Sequence, residues 1–96
     1  MQCPSADGLD YRAPGVPNKV FRRICSYDFP MSDLFNLTAT NMEDCINACA
    51  ARSGCAGVTW NYDGLQGTDV HYCWVKGALG TKFANANVES AVLLQW

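Results

Sequence analysis

Charge is scarce in this sequence, and basic charge is especially scarce. Charged residues make up 17% of the 96 residues, against about 25% in an ordinary soluble domain. Seven lysines and arginines face nine acids, and the net charge is −2. Because no basic run is present, we expect no nucleic-acid partner. A surface with little charge and many aromatic residues favours contact with polymers, partner proteins or other copies of the chain.

Long apolar runs and metal-ligand spacings are also missing. No segment approaches the roughly 20 apolar residues of a membrane-spanning helix, so we expect no membrane span. The chain has one histidine and no C-x2-C pair, and 17 residues separate Cys55 from Cys73, which argues against zinc. We expect no metal and no cofactor. Gln2 to Asp10 is polar, unlike a signal peptide, so we interpret Met1 as an expression-start residue on a mature secreted chain.

Cysteine, by contrast, is abundant. Six cysteines in 96 residues fit a framework of three disulfides, and crosslinks of this density are typical of secreted proteins. A chain of this length predicts one domain, residues 1–96. Residues 1–18 hold three of the four prolines and show no periodicity. We expect them to form a loop that is tethered by Cys3.

The strongest local signal is a helix over residues 41–53. Thr40 and Glu43 match a capping box, in which each side chain bonds to the backbone N–H of the other residue. Gly54 supplies the left-handed residue that ends a helix. The inward face is marked by residues at three-and-four spacing: Met42, Cys45, Ile46 and Cys49.

The geometry of the helix reduces the number of possible disulfide pairings. Cys45 and Cys49 lie four residues apart, so their Cβ atoms are about 5–6 Å apart, beyond the ~3.5–4.5 Å that a disulfide needs. After the turn at Gly54, Cys55 returns beside Cys49. A strand that continues from that turn, and a second strand paired to it that carries Cys73, would pass the earlier helix turn where Cys45 points. The predicted bridges are Cys49–Cys55, Cys45–Cys73 and, by exclusion, Cys3–Cys25.

Alternating apolar and polar residues predict the strands. We expect strands at 56–62, 70–76 and 88–96, and a half-exposed or edge strand at 19–25. Turns or loops are expected at 26–33, 63–69 and 77–87, with an apolar run at 34–39 leading into the helix cap. Arg22 and Arg23 are interpreted as a solvated strand face. The predicted fold class is α+β, with one helix on an antiparallel sheet.

The alternation along the strands at 70–76 and 88–96 predicts which side chains pack against the helix. Cys73 must point to the helix, so His71 and Val75 share its face and are expected to be packed there. The 88–96 strand has aliphatic residues on both faces, so one face needs a cover. The N-terminal loop around Tyr11 and Val16 is the favoured cover, which would give a closed monomer. A second copy of the chain is the alternative.

Several motifs together match a known family. They are Cys45-x3-Cys49-x5-Cys55, Ala56-Gly57-Val58-Thr59-Trp60, Cys73-Trp74-Val75-Lys76, Ser90-Ala91-Val92 and the leading Cys3-Pro4, Gly8, Tyr11 and Cys25. With them the chain resembles the PAN/apple superfamily, and within it the PAN-type domains of secreted fungal proteins. The resemblance implies a helix cradled by a curved antiparallel sheet with the same pairing of the helix cysteines. It also implies a module that binds proteins or carbohydrates. No late cysteine is present to tie the ends together, as the apple subgroup does.

The sheet face turned away from the helix is the predicted binding site. Its candidate residues are Tyr72, Trp74, Thr59, Asn61 and Lys76. Aromatic rings beside hydrogen-bonding groups suit a sugar, and equally a protein hot spot. The alternative is that loops 1–18 and 26–39 cover this face as a second core. We therefore predict a secreted, non-catalytic, adhesion- or lectin-like module for extracellular carbohydrate or protein.

Three other interpretations stay open. Strand edges at 19–25 and 88–96 would let the chain assemble with itself as a structural protein. Asp63 and Asp69 bracket a glycine-containing loop and are candidates for a weak calcium or sugar site, although solvated turn acids are favoured. A small secreted enzyme is least favoured, because the single histidine, His71, is expected to be a packed structural residue.

One modification signal stands apart from these. Asn36-Leu37-Thr38 is an acceptor sequence for N-glycosylation. If it is used, the surrounding segment lies on the surface.

Overall fold

The computed structural model describes residues 3, 5, 7–16, 19–29, 33–61 and 71–95. These residues form one helix and six strands. In chain order the elements are β1 (Asp10–Arg12), β2 (Val20–Asp28), β3 (Asp33–Ala39), α1 (Met42–Ala50), β4 (Gly57–Asn61), β5 (His71–Lys76) and β6 (Phe83–Gln95).

The strands make one antiparallel sheet in the order β1-β2-β6-β4-β5-β3. The predicted α+β class and the β4–β5 pairing are therefore confirmed. The prediction of an edge strand at 19–25 is wrong, because β1 pairs with the outer side of β2. The β6 strand is also interior, since β2 and β4 flank it. The edges are β1 and β3.

The helix begins one residue later than the capping box predicts and ends three residues earlier. Asn41 is the N-cap, and its Oδ1 accepts from the backbone N–H of Asp44 at 2.8 Å. This bond takes the role expected of Thr40, which is exposed, because an amide oxygen caps as well as a hydroxyl. Gly54 does have a positive φ, of 86°, but it lies in the turn that follows Ala50.

One side of the helix packs against one face of the sheet, and the core lies between them. Met42, Cys45, Ile46 and Cys49 are buried, as the spacing predicts. Their neighbours from the sheet are Phe21, Val58, Trp60, Cys73, Val75 and Ala91. All three predicted disulfides are present, with Cα–Cα distances of 5.8 Å for Cys3–Cys25, 5.6 Å for Cys45–Cys73 and 5.5 Å for Cys49–Cys55.

Three stretches predicted as loops contain strands. Residues 33–39 form β3, residues 10–12 form β1, and β6 begins at Phe83 instead of residue 88. Each of these strands forms by pairing with a partner that is distant in sequence, or through a short ladder. The turn-forming residues nearby therefore wrongly predict a loop. The alternation in DLFNLTA, in which Phe35 and Leu37 are half-buried and Asn36 and Thr38 exposed, was the signal for β3.

The N-terminal segment covers the helix side of the sheet. Tyr11 and Val16 pack against the same core as the helix, and the Tyr11 hydroxyl donates to Asn47 Oδ1 at 2.8 Å. The prediction that this segment covers the second face of β6 is thus wrong. On that second face Val88 and Ser90 are nevertheless buried, whereas Leu94 is exposed.

The two neighbouring arginines have opposite environments. Arg22 is exposed and forms an ion pair with Asp10 at 2.9 Å, as a solvated strand face would. That carboxylate, through its hydrogen bond and its charge, raises the pKa of Arg22 above its usual range. Arg23 is buried, and its Nη2 lies 2.8 Å from Glu89 Oε1. The solvated-face prediction is therefore wrong for Arg23, because β6 brings a buried carboxylate to it.

Candidate functional site

The centre of the candidate site is an aromatic pair, Tyr72 and Trp74, on β5. Cys73 points to the helix and is bonded to Cys45, so its two neighbours point to the opposite face of the sheet. The two rings have their centroids 5.6 Å apart and their planes tilted by 39°. Tyr72 is 39% exposed and Trp74 is half-buried. The pair therefore presents apolar ring surface to solvent.

The edge strand β3 supplies polar neighbours that the sequence analysis did not include in the site. Asn36 is in register with Trp74, and Thr38 with Tyr72. Both polar side chains are exposed. Residues directly opposite each other share a face and have Cβ atoms about 4.5–5.5 Å apart. An amide and a hydroxyl therefore flank the aromatic pair.

Two predicted binding residues are occupied by the fold itself. Thr59 is 1% exposed, and its hydroxyl lies 2.9 Å from that of Ser90, which donates to the carbonyl of Tyr27 at 2.7 Å. Lys76 is 3% exposed, and its Nζ is paired with Asp33. Thr59 and Lys76 are thus not available to a ligand, because burial of their polar groups requires internal partners.

The remaining predicted residues divide into two groups. Asn61 is half-buried at the end of β4. Asp63 and Asp69, the candidates for a calcium or sugar site, lie outside the described residues, as does Trp96. The structure thus brings Tyr72 and Trp74 together. The alternative that loops 1–18 and 26–39 cover this face is only partly right. Segment 26–39 supplies the Tyr27 carbonyl near Thr59 and the Asp33 carboxylate at Lys76, but Tyr11 and Val16 of the N-terminal loop pack on the helix side, and the aromatic pair stays partly exposed.

His71 lies on the helix side of β5, as predicted. Its ring contacts that of Trp60, with centroids 4.6 Å apart and planes tilted by 42°. The Trp60 indole N–H donates to the carbonyl of Ala39 at 3.1 Å. Among the residues that the structure describes, the buried Nδ1 atom of His71 has no hydrogen-bond partner. This position fits the predicted packed, structural histidine.

A second concave feature lies at the start of the helix. It is a cleft of about 400 Å³ lined by Arg23, Thr40, Asn41, Met42, Glu43, Asp44, Trp60 and Glu89. The Arg23 guanidinium bridges two acids here, Glu89 at 2.8 Å and Glu43 at 3.3 Å. Partial burial by itself would raise the pKa of Glu43, but hydrogen bonds and the charge of Arg23 outweigh it and hold the pKa below its usual range. Arg23 is thus a shared partner of the two glutamates in this cleft.

A third feature is a cleft of about 550 Å³ beside the Cys49–Cys55 turn. It is lined by Lys19, Ser53, Gly54, Cys55, Ala56, Gly77 and Leu93. Lys19 Nζ donates here to the carbonyl of Ala50 at 3.0 Å, at the end of the helix.

Within the described ranges, no group of three or more His, Cys, Asp or Glu side chains is placed to hold a metal ion. Nor does this part of the chain contain a helix with the length and apolar character of a membrane span.

Together these features define an α+β fold, a helix on a six-stranded antiparallel sheet with three disulfides and an exposed aromatic face. A family model described as a PAN domain matches residues 27–76, just over half of the chain. The chain therefore belongs to the PAN domain family. Members are generally modules that bind proteins or carbohydrates and are typically non-catalytic. The comparison with curated proteins finds no match.

Proposed function

We propose that this protein is a secreted, non-catalytic recognition module, and that it binds carbohydrate through the Tyr72–Trp74 aromatic pair. The observation that carries the proposal is the pair itself, with two tilted rings 5.6 Å apart on a solvent-facing sheet. Apolar ring faces suit the C–H faces of a sugar. Asn36 and Thr38 beside the rings supply donors and acceptors for the sugar hydroxyls.

Rigidity supports this use of the sheet. The strand that carries the pair is fixed by the Cys45–Cys73 bridge and by pairing on both sides. A site on such a strand loses little side-chain and backbone freedom when a ligand binds. Recognition of an extracellular polysaccharide, and hence an adhesion-like role outside the cell, fits this geometry. The three disulfides fit an extracellular setting.

The test is a glycan array and a pull-down on insoluble polysaccharides with protein that lacks a glycan on Asn36. We expect saturable binding that falls about five- to twelvefold in Trp74→Ala, since loss of one stacking ring costs on the order of 1–1.5 kcal/mol. Phe83→Ala is the matched control. It removes a 58% exposed aromatic side chain on β6 and should leave binding unchanged.

Two results would contradict the proposal. One is binding that is equal in Trp74→Ala and Phe83→Ala when circular dichroism shows both folded. The other is an array without signal while the protein still captures a defined extracellular protein through the same rings. The second result would leave a recognition module whose ligand is protein.

Self-assembly is the second candidate function, and the β3 edge favours it. This strand has seven residues and, among the strands that the structure describes, pairs on one side only, and Leu34 on it is exposed. An unpaired edge of that length can add a strand from another copy. Assembly would use β3, since the edges predicted at 19–25 and 88–96 are interior. Size-exclusion chromatography of wild type and Leu34→Lys tests this, with a concentration-dependent shift to larger species in wild type alone as the supporting result.

A further inference from the structure

The glycosylation sequence on β3 and the aromatic pair on β5 lie directly opposite each other in the sheet. Asn36 is in register with Trp74, and Thr38, the second required residue of the sequence, is in register with Tyr72. No shift in register interrupts this part of the ladder. The side chain that would carry a glycan and the half-buried ring of Trp74 therefore start from neighbouring points on one face.

The available space also suits a sugar at this position. Asn36 and Thr38 are exposed on an edge strand, so a glycan on Asn36 displaces no packed residue. Neighbouring strands are about 4.8 Å apart, and an asparagine side chain plus one pyranose ring spans that distance. The first N-acetylglucosamine can thus lie over Trp74, with its apolar face on the ring and its hydroxyls toward water.

We propose that Asn36 carries an N-linked glycan whose first sugar stacks on Trp74 and closes the aromatic pair to other ligands. In the transfer, the bond between the sugar C1 and the pyrophosphate of a lipid-linked oligosaccharide breaks. A bond forms between C1 and Asn36 Nδ2, which loses one proton, and the lipid pyrophosphate leaves. The chain is modified as it enters the secretory pathway, before β3 pairs with β5.

This inference rests on the proposed function in one respect, because it makes glycan occupancy the regulator of the same site. The bare protein has an open aromatic pair, and the glycosylated protein has a pair occupied by its own sugar. A single sequence then yields two forms that differ in ligand binding. The proportion of each is set by the efficiency of transfer.

The test compares glycosylated and bare protein from a eukaryotic secretory host. Intact mass gives the occupancy of Asn36, and an endoglycosidase that leaves one N-acetylglucosamine isolates the first sugar. We expect that single sugar to raise Tm by about 4 °C or more relative to Thr38→Ala, which lacks the acceptor sequence. In Trp74→Ala the same comparison should show less than half of that gain. Taking the difference within each background cancels any destabilisation by Trp74→Ala itself.

A second measurement does not depend on stability. The indole N–H resonance of Trp74, assigned from Trp74→Phe, should shift between the bare and single-sugar forms. The indole N–H of Trp60 is the internal control, because it donates to Ala39 within the core and should not move. An unmodified Asn36 overturns the proposal. So does a Tm gain that is equal with and without Trp74, accompanied by an unmoved Trp74 resonance.

The two proposals fail separately. If bare protein binds polysaccharide and the single-sugar form binds it equally well, the glycan proposal is wrong and the recognition function stands. If the sugar raises Tm in a way that depends on Trp74 but bare protein binds no polysaccharide, the aromatic pair binds only the protein's own glycan. The recognition function is then wrong at this site.

Discussion

The two faces of the sheet bury their residues by different means. On the helix side the core is mainly apolar and covalently fixed, as at Cys45 and Val75, and it holds one buried ion pair, Arg23 with Glu89. On the opposite side Val88 is buried, but most of the buried groups are polar and satisfied in pairs, as in Thr59 with Ser90 and Lys76 with Asp33. Only this second side presents a pair of neighbouring exposed or half-exposed aromatic rings, among the described residues.

The difference shows how a short chain can keep one face free for recognition. Apolar burial and crosslinks on the helix side supply most of the stability. The opposite side then needs only enough internal pairing to remain flat and rigid. Mutations on the two faces should therefore have different costs, and four such changes test this.

The largest effect is expected from removing the central bridge on the helix side. Cys45→Ala with Cys73→Ala opens a loop whose ends are 28 residues apart, at a cost of about 4 kcal/mol. Thermal unfolding by circular dichroism should show a protein largely unfolded near 37 °C. The matched control is Cys49→Ala with Cys55→Ala, whose loop of six residues should cost less. An equal loss in both would contradict the chain-entropy argument.

The next effect tests the buried ion pair. Glu89 is 2% exposed and pairs with Arg23, so Glu89→Ala leaves a buried guanidinium with Glu43 as its remaining acid. We expect a loss of about 3 kcal/mol in chemical denaturation. Asp10→Ala removes the exposed partner of Arg22 and should cost less than about 1 kcal/mol. Similar losses would show that burial does not set the cost here.

A smaller effect is expected on the opposite face. Thr59→Val keeps the shape but removes the hydroxyl that bonds to Ser90, so we expect a loss of about 1–2 kcal/mol. Thr38→Val is the control, because its side chain is exposed on the same face; both variants are compared with wild type as protein without a glycan on Asn36. If Thr59→Val is neutral, the polar network on this face does not contribute to stability.

The smallest effect is a pH dependence at the helix start. Because the pKa of Glu43 is lowered in the folded state, its ionised form contributes stability above its unfolded pKa. That contribution is lost as the pH falls below the unfolded pKa of about 4.3 and through the lower folded pKa. The difference in unfolding free energy between wild type and Glu43→Gln should be largest at neutral pH and shrink as the medium becomes more acidic than the unfolded pKa. If the difference instead grows on acidification, ionised Glu43 does not stabilise the fold and the prediction is wrong.

The parts of the fold that follow from neighbouring residues could be predicted from the sequence. The i, i+4 spacing of Cys45 and Cys49 excludes their mutual bridge, and the turn at Gly54 returns Cys55 to Cys49. The same alternation that points Cys73 to the helix points Tyr72 and Trp74 away from it. Helix, hairpin, disulfides and the aromatic pair therefore all rest on short-range geometry.

The strand order could not be predicted in the same way. The β6 strand lies between β2 and β4, and nothing near residues 83–95 encodes those partners. For this reason the burial of Arg23 was missed, since its acid comes from β6. Lys76 was assigned to the site because its partner, Asp33, lies on a strand that had been predicted as a turn.

The interior position of β6 also bears on how the chain is made. Arg23 and Glu89 are 66 positions apart, so at about 5–20 residues per second the ribosome needs roughly 3–13 s to supply the missing partner. In the later part of that interval β2 and β4 each have an open side, while the cysteines of the helix and of β5 are already synthesised and can be oxidised. Until β6 is made, those open sides are places where the nascent chain can pair with a strand of another chain.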